Sequence, residues 1–286
     1  MLDKNTKILI VGLGLLGGSY AMRLSRLGYR VSAITKNPED IEFALKNSLI
    51  EKGTTKVLPK YIEEADLIIF ALYPKIFIEW IKENGHLIPK GKIITDVTGV
   101  KGAVVEAVQK MLPDGVEFIS AHPMAGRESS GIKYADDTIF AQANYIVVPT
   151  DKNTKKGVDI CKSLGETLGF AKISELSVEA HDKMIAFLSQ LTHCIAVSLM
   201  CTESDPDLVK YTGDSFRDLT RIADINDEMW SELFLLNRDA LLCEMDRFRD
   251  SFDELYDCIK NNKREEMRTL MRTSSERRRK FNKRKR

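Results

Sequence analysis

The 286-residue sequence has little of what builds covalent or metallic frameworks. Its five cysteines (Cys161, Cys194, Cys201, Cys243 and Cys258) are odd in number, widely spaced and without a CxxC pair. That spacing excludes a disulfide scaffold and a cysteine zinc site, so no metal is expected and a reducing, cytoplasmic compartment fits best. Histidine is scarcer still. His86, His122, His181 and His193 are the only four, which leaves few candidates for imidazole chemistry. Net charge is nearly absent, with 43 Lys/Arg against 42 Asp/Glu and a formal +1. The bulk chain therefore carries no electrostatic bias toward nucleic acid or a membrane surface. One asymmetry hides in that balance: residues 263–286 hold twelve basic side chains against three acidic ones, with Phe281 the only aromatic among them. A basic end without interleaved aromatics reads as a solvated helix end and tail. Neither nucleic acid nor membrane is an expected partner. The apolar stretch from Ile8 to Met22 carries Gly12, Gly14, Gly17 and Gly18 and lacks a convincing cleavage site. It is too short to span a bilayer, so no leader is expected.

What is present is an ordinary globular composition, 43% hydrophobic and 30% charged, at a length that suits one or two domains. The first half alternates short β-rich runs with helical stretches, the pattern of a parallel sheet wrapped by helices. Strands are expected at Lys7–Val11, Arg30–Ile34, Leu67–Leu72, Lys92–Asp96, Glu117–Ala121 and Tyr145–Pro149, with a short extended piece at Ala171–Leu176. After Ser177 the character turns helical. The stretch Val178–Met200 is apolar on nearly every face in its middle, so it must be covered within a bundle or by another subunit. Further helices are expected at Phe216–Arg221, Met229–Cys258 and Lys263–Arg279. The expected fold class is α/β: a Rossmann-type dinucleotide-binding domain over residues 1–174, then an all-helical substrate and dimerisation domain over residues 175–286.

Gly12-Leu13-Gly14-Leu15-Leu16-Gly17 is a GxGxxG string that follows the strand Ile8–Val11 and opens a helix. Gly12 permits the tight turn, Gly14 lets a pyrophosphate approach the backbone and Gly17 allows close helix–strand packing. The helix start that includes Leu15 and Leu16 offers N–H groups to the phosphates. An NAD site would next show an acid at the end of the second strand, to bind the ribose hydroxyls. Here that strand ends in Thr35-Lys36-Asn37, and Glu39 and Asp40 lie beyond Pro38. A hydroxyl and a cation suit a 2′-phosphate, so Thr35 and Lys36 favour NADP over NAD.

His122 opens His122-Pro123-Met124-Ala125-Gly126 at a strand's C-terminal end, where open α/β sheets place their ligands. With it the chain comes to resemble the prephenate/arogenate dehydrogenases of tyrosine biosynthesis. The resemblance rests on Gly12 to Ser19, on Asp96-x-x-x-Val100-Lys101 and on His122 to Glu128. It continues through His181-Asp182, His193, Phe216 to Ala223 with Arg221, and Trp230. It implies oxidative decarboxylation of a cyclohexadienyl substrate: hydride passes from the carbinol carbon to a nicotinamide, CO2 departs and the ring becomes aromatic. His122 is then the catalytic imidazole that accepts the substrate hydroxyl's hydrogen bond. Arg221 binds a substrate carboxylate through two parallel bonds. His193 lies near the substrate and Glu128 pairs with Arg221 at the mouth of the site. A homodimer through the helical domain is also implied, and no regulatory domain or fused mutase is expected.

One departure stands out. The family usually shows Asp-x-x-Ser-Val-Lys, whereas this chain reads Asp96-Val97-Thr98-Gly99-Val100-Lys101, with glycine in the serine position. Thr98 is the candidate to take over the missing hydroxyl. Asp214, just upstream of Arg221, aligns with an acidic position that marks arogenate preference in some relatives; alternatively it caps the following helix. Two other readings stay open from the residues alone: a β-hydroxyacid dehydrogenase or imine reductase with the same domain plan, and a non-catalytic NADP-sensing protein.

Overall fold

A computed structural model describes residues 2–126 and 129–281. Runs of branched apolar residues, too short for helices and bounded by turn residues, form the strands. In chain order the elements are β1 (Lys7–Val11), α1 (Leu15–Arg26), β2 (Arg30–Ile34), α2 (Pro38–Lys46), β3 (Lys52–Thr54), α3 (Pro59–Glu64), β4 (Leu67–Phe70) and α4 (Pro74–Asn84). They continue with β5 (Ile93–Asp96), α5 (Gly102–Met111), β6 (Glu117–Pro123), β7 (Asn144–Val148), α6 (Lys155–Leu168) and β8 (Lys172–Glu175). The helical part is α7 (Val178–Ile185), a π-helical turn (Ala186–Gln190), α8 (Leu191–Met200), α9 (Asp214–Thr220), α10 (Asp227–Leu236), α11 (Arg238–Lys260) and α12 (Arg264–Arg279).

The eight strands form one sheet in the order β3-β2-β1-β4-β5-β6-β7-β8. The first six are parallel, β7 runs antiparallel to β6, and β8 is parallel to β7. The 3-2-1-4-5-6 order is that of dinucleotide-binding sheets, whose ligands sit beyond the carboxyl ends of the strands. The sequence dictates burial on both faces. Along β1, Ile8 and Ile10 join one core cluster while Leu9 and Val11 join the other, and all four are buried. A strand covered on both sides needs a continuous apolar run, and Ile-Leu-Ile-Val supplies it.

The chain divides into two compact units, Met1–Arg238 and Asp239–Arg286. The first thus includes the sheet together with α7 to α10. Among the described residues the run Val178–Met200 is the one helical stretch long and apolar enough to cross a membrane by length and composition, with 28% of its apolar window buried. Phe187, Leu188, Leu199 and Met200 are exposed on it. The cover expected for this stretch is therefore only partly supplied within the chain. In the second unit, Phe248, Phe252, Tyr256 and Ile259 line an exposed stripe along α11.

Several element boundaries differ from the sequence reading. β3 and α3 had no counterpart, because Lys52-Gly53-Thr54 carries no apolar pattern and α3 is a six-residue helix. The long helix expected at Met229–Cys258 breaks at Asn237. β6 extends two residues farther than expected because β7 pairs with it from Ser120 to Pro123. His122 therefore lies within the strand rather than after it.

Candidate active site

The glycine loop sits at the carboxyl end of β1. Gly12 adopts φ +98°, and a Cβ there would lie 2.5 Å from the Ala71 carbonyl oxygen. A Cβ on Gly17 would collide with the Gly12 carbonyl, so α1 can approach the turn only with glycine at that position. Gly14, by contrast, faces open space. It is also the N-cap of α1 and makes no side-chain cap bond, and the first turn, which includes Leu15 and Leu16, holds no acidic residue. Uncapped amides beside an open backbone suit a pyrophosphate, and the loop fits the dinucleotide that its sequence implies. At the end of β2, Thr35 is buried and Lys36 exposed. The nearby Asp40 carboxylate accepts a bond from Asn37 Nδ2 at 3.0 Å.

At the end of β5 a buried lock shapes the next loop. Asp96 and Lys101 are both fully buried and meet at 2.8 Å. The Asp96 carboxylate also accepts from Ser120 Oγ (2.7 Å) and from the backbone N–H groups of Ala121 (2.9 Å) and Thr98 (3.1 Å). Lys101 Nζ donates to the Ala121 carbonyl at 2.6 Å. Burial lowers the Lys101 pKa, and the Asp96 charge opposes that shift. An ammonium so enclosed is committed to structure. The lock also absorbs Thr98. The Thr98 hydroxyl bonds to the Asp96 carboxylate and the Val100 carbonyl and accepts from Lys101. The single proton of Thr98 thus already has acceptors within the lock.

His122 projects from β6 next to this lock. Its Nδ1 lies 2.9 Å from Nε2 of His181, on α7, and His181 Nδ1 lies 2.7 Å from Asp182 Oδ1. The Asp182 carboxylate in turn accepts the backbone N–H of Lys101 (2.9 Å) and of Gly102 (2.7 Å), at the start of α5. Burial pushes the His122 pKa well below its usual value, with His181 and Lys101 adding to the effect. His181 is lowered too, again mainly by burial, against the pull of Asp182. Gly99 matters here by its lack of a side chain. A Cβ on it would stand 3.9 Å from His122 Nε2 and 3.7 Å from Leu233.

Helix α10 joins the helical part to the strand ends. Glu232 accepts the backbone N–H of Lys75 at 2.7 Å in the first turn of α4, and Leu233 covers Gly99. One turn back, Trp230 stacks on His193 with ring centroids 3.7 Å apart. His193 Nδ1 lies 2.8 Å from the Ser189 carbonyl, which can only accept, so Nδ1 donates. Arg221 is exposed and opens a 3-10 turn that packs on α8, the helix bearing His193. Asp214 is the first residue of α9 rather than its cap, which is Gly213. Its carboxylate meets Arg217 at 2.6 Å and its side chain is 90% exposed. Glu128 lies outside the described residues, as does Arg127. Sequence reasoning quoted His181 and Asp182 without giving them a role. The contact of His181 with His122 spans 59 residues, and the adjacent His-Asp pair was the one local signal of it.

Residues 20–174 match the nucleotide-binding domain of prephenate dehydrogenases, and residues 177–273 match the family's dimerization domain. This chain belongs to the prephenate dehydrogenase family. The prephenate dehydrogenase of Bacillus subtilis is 32% identical over 256 residues, which cover 87% of this chain and 68% of the relative. The crystal structure of the Aquifex aeolicus prephenate dehydrogenase with hydroxyphenyl propionate and NAD+ superposes with a TM-score of 0.89 at 30% identity, covering 97% and 98% of the two chains. Synechocystis arogenate dehydrogenase gives 0.84 at 26% identity, covering 97% and 100%. Membership makes the chain a dehydrogenase of the prephenate/arogenate/cyclohexadienyl group that uses a nicotinamide dinucleotide. The first match begins at residue 20, so the glycine loop rests on its own motif and geometry.

Proposed function

We propose that this member of the prephenate dehydrogenase family oxidatively decarboxylates prephenate to 4-hydroxyphenylpyruvate, with NADP as the preferred acceptor, in the cytoplasm. The observation that carries the reading is His122, held on a paired strand at the carboxyl edge of the sheet, with Nε2 beside the side-chain-free Gly99. A bound dinucleotide supplies the hydride acceptor. His122 Nε2 takes the proton of the substrate's ring hydroxyl as hydride leaves the carbinol carbon. CO2 then leaves the opposite carbon, and its bonding pair completes the aromatic ring. Arg221 holds a substrate carboxylate through its planar guanidinium. His193, fixed by its stack on Trp230 and its bond to Ser189, lines the site from α8. Glu128 is assigned to the mouth of the site, as Arg221's partner.

Two finer choices follow from the chain's own residues. The end of β2 offers the Thr35 hydroxyl and the exposed Lys36 ammonium, with Glu39 and Asp40 beyond Pro38 in α2, which favours a 2′-phosphate. Asp214 is matched by Arg217 and is strongly exposed, so it makes a weak partner for the ammonium of arogenate, and prephenate is favoured. Assays of prephenate and arogenate, each with NAD and NADP, test both: the prephenate–NADP pair should give the highest kcat/KM, and an arogenate or NAD preference overturns the corresponding choice. Replacing His122 by Asn should lower turnover about 10²–10⁴-fold with cofactor affinity kept. Turnover equal to wild type would remove His122 as the base.

The functional division is assigned near residue 174, with residues 175–286 serving substrate and dimer. The exposed apolar side chains of the π-helical turn and α8, and separately those of α11, support a homodimer as their cover. Sedimentation as a monomer at micromolar concentration would sink that assignment.

A further inference from the structure

We infer that His181 and Asp182 act as positioning residues that hold the proton of His122 on Nδ1 and so keep its Nε2 a lone pair. The inference rests on His122 being the base, but the protonation pattern itself follows from counting donors. Both Asp182 oxygens already accept backbone N–H groups, from Lys101 and Gly102. An ionised carboxylate donates nothing, so at 2.7 Å His181 Nδ1 must carry the proton. A neutral imidazole has one N–H, which leaves His181 Nε2 as an acceptor. It stands 2.9 Å from His122 Nδ1, so that nitrogen is the donor. His122 Nε2, toward Gly99, is then unprotonated by default.

The surroundings keep the chain of bonds in this state. His181 is fully buried, and burial disfavours a second proton on either ring. The charged groups facing the pair are Lys101, committed to Asp96, and Asp182 itself. Asp182 is held from the other side too. Its carbonyl accepts from Asn237 Nδ2 at 2.9 Å, and the same amide donates to Gln190 Oε1 at 2.7 Å. When His122 gains the hydroxyl proton, its Nδ1–H donates more strongly to His181, whose own N–H points at the carboxylate. The positive charge is stabilised without any proton leaving His122.

Asp182→Asn provides the test. With the Asn oxygen on the Gly102 N–H, the NH2 takes the place of Oδ1, gives up the Lys101 N–H bond and faces His181 Nδ1, which makes that nitrogen an acceptor. The His181 proton then moves to Nε2, His122 Nδ1 must accept, and the His122 proton shifts to Nε2, where it blocks the base. Ring ¹⁵N chemical shifts of the full-length protein should show both tautomers exchanged. Turnover should fall about 10²–10⁴-fold, the scale of a histidine held in the wrong tautomer, with dinucleotide Kd unchanged. Unchanged tautomers and turnover in Asp182→Asn, with His122→Asn inactive, would overturn the inference and leave the base intact. An active His122→Asn would remove the base reading instead, while the ring shifts still report on the tautomers. If Asp182→Asn does not fold, the carboxylate clamp can be kept and His181 changed. His181→Leu should lose more than about 10²-fold, and His181→Gln, whose amide oxygen can still accept from His122, should recover at least about tenfold of it. A His181→Leu enzyme as fast as wild type would also overturn the inference.

Discussion

The sheet and the helices that follow it solve the same problem in opposite ways. In β1, β4 and β5 almost every apolar side chain is buried by the chain's own helices, and even the ion pair of Asp96 and Lys101 is sealed from water. Between residues 178 and 238 large apolar groups stay open, with Val209 73%, Leu219 53% and Leu235 69% exposed. The first part closes its core mostly with its own helices, with Val178, Leu233 and Leu236 packed on one side of it. The second matches a dimerization domain and keeps surface in reserve, as a helix pair does when its partner is another copy.

That contrast can be broken by substitution, most forcefully at its buried end. Lys101→Met leaves Asp96 an unpaired carboxylate in the core and should cost about 3–5 kcal/mol in urea unfolding. A loss under about 1 kcal/mol would mean that the lock contributes little. Thr98→Val should come next, at about 1–3 kcal/mol for polar groups left without their hydroxyl partner. Its turnover should stay far closer to wild type than that of His122→Asn; an equal collapse would restore Thr98 to the chemistry. Acid should act in the same region. Burial lowers both His122 and His181, so each is neutral in the fold and takes up a proton more readily when unfolded. Stability from these two groups is thus fully present above their unfolded pKa of about 6.5 and is lost as pH falls below it. The acid limb of kcat/KM should likewise lie below 6.5, and a limb above that value would contradict the burial of His122.

At the open end the expected effects are smaller and of another kind. Leu235→Ser should change unfolding by less than about 1 kcal/mol, as exposed sites do, yet weaken self-association measured by sedimentation. Gly99→Ser is the mildest. Its Cβ would meet only ordinary contacts at 3.7–3.9 Å, so stability should stay within about 1 kcal/mol. Its hydroxyl would reach toward His122, and kcat/KM should change less than about tenfold, roughly 1.4 kcal/mol. A hundredfold loss would show that the substrate itself needs that space.

Legibility in the sequence followed the range of the interaction. The glycine loop and the strands around it are local patterns and lay where their residues indicated, and His122 differed only in being held within β6. The three-residue β3 gave no pattern to read, because Lys52 and Thr54 are held by pairing with β2 rather than by burial. The break at Asn237 was hidden for a similar reason. It coincides with a buried amide that bonds to Asp182 and Gln190, some fifty residues away. The likeness to the family supplied Arg221 and His193 by position, but it gave no hint that Thr98 would be drawn into the Asp96 lock or that His181 would touch His122.

His122 is held in a ladder, opposite Ile146 of the antiparallel β7. A rung of a sheet has little freedom to swing. On the proposed chemistry, the yielding that admits substrate falls to α10, whose Leu233 covers Gly99, while the imidazole stays put.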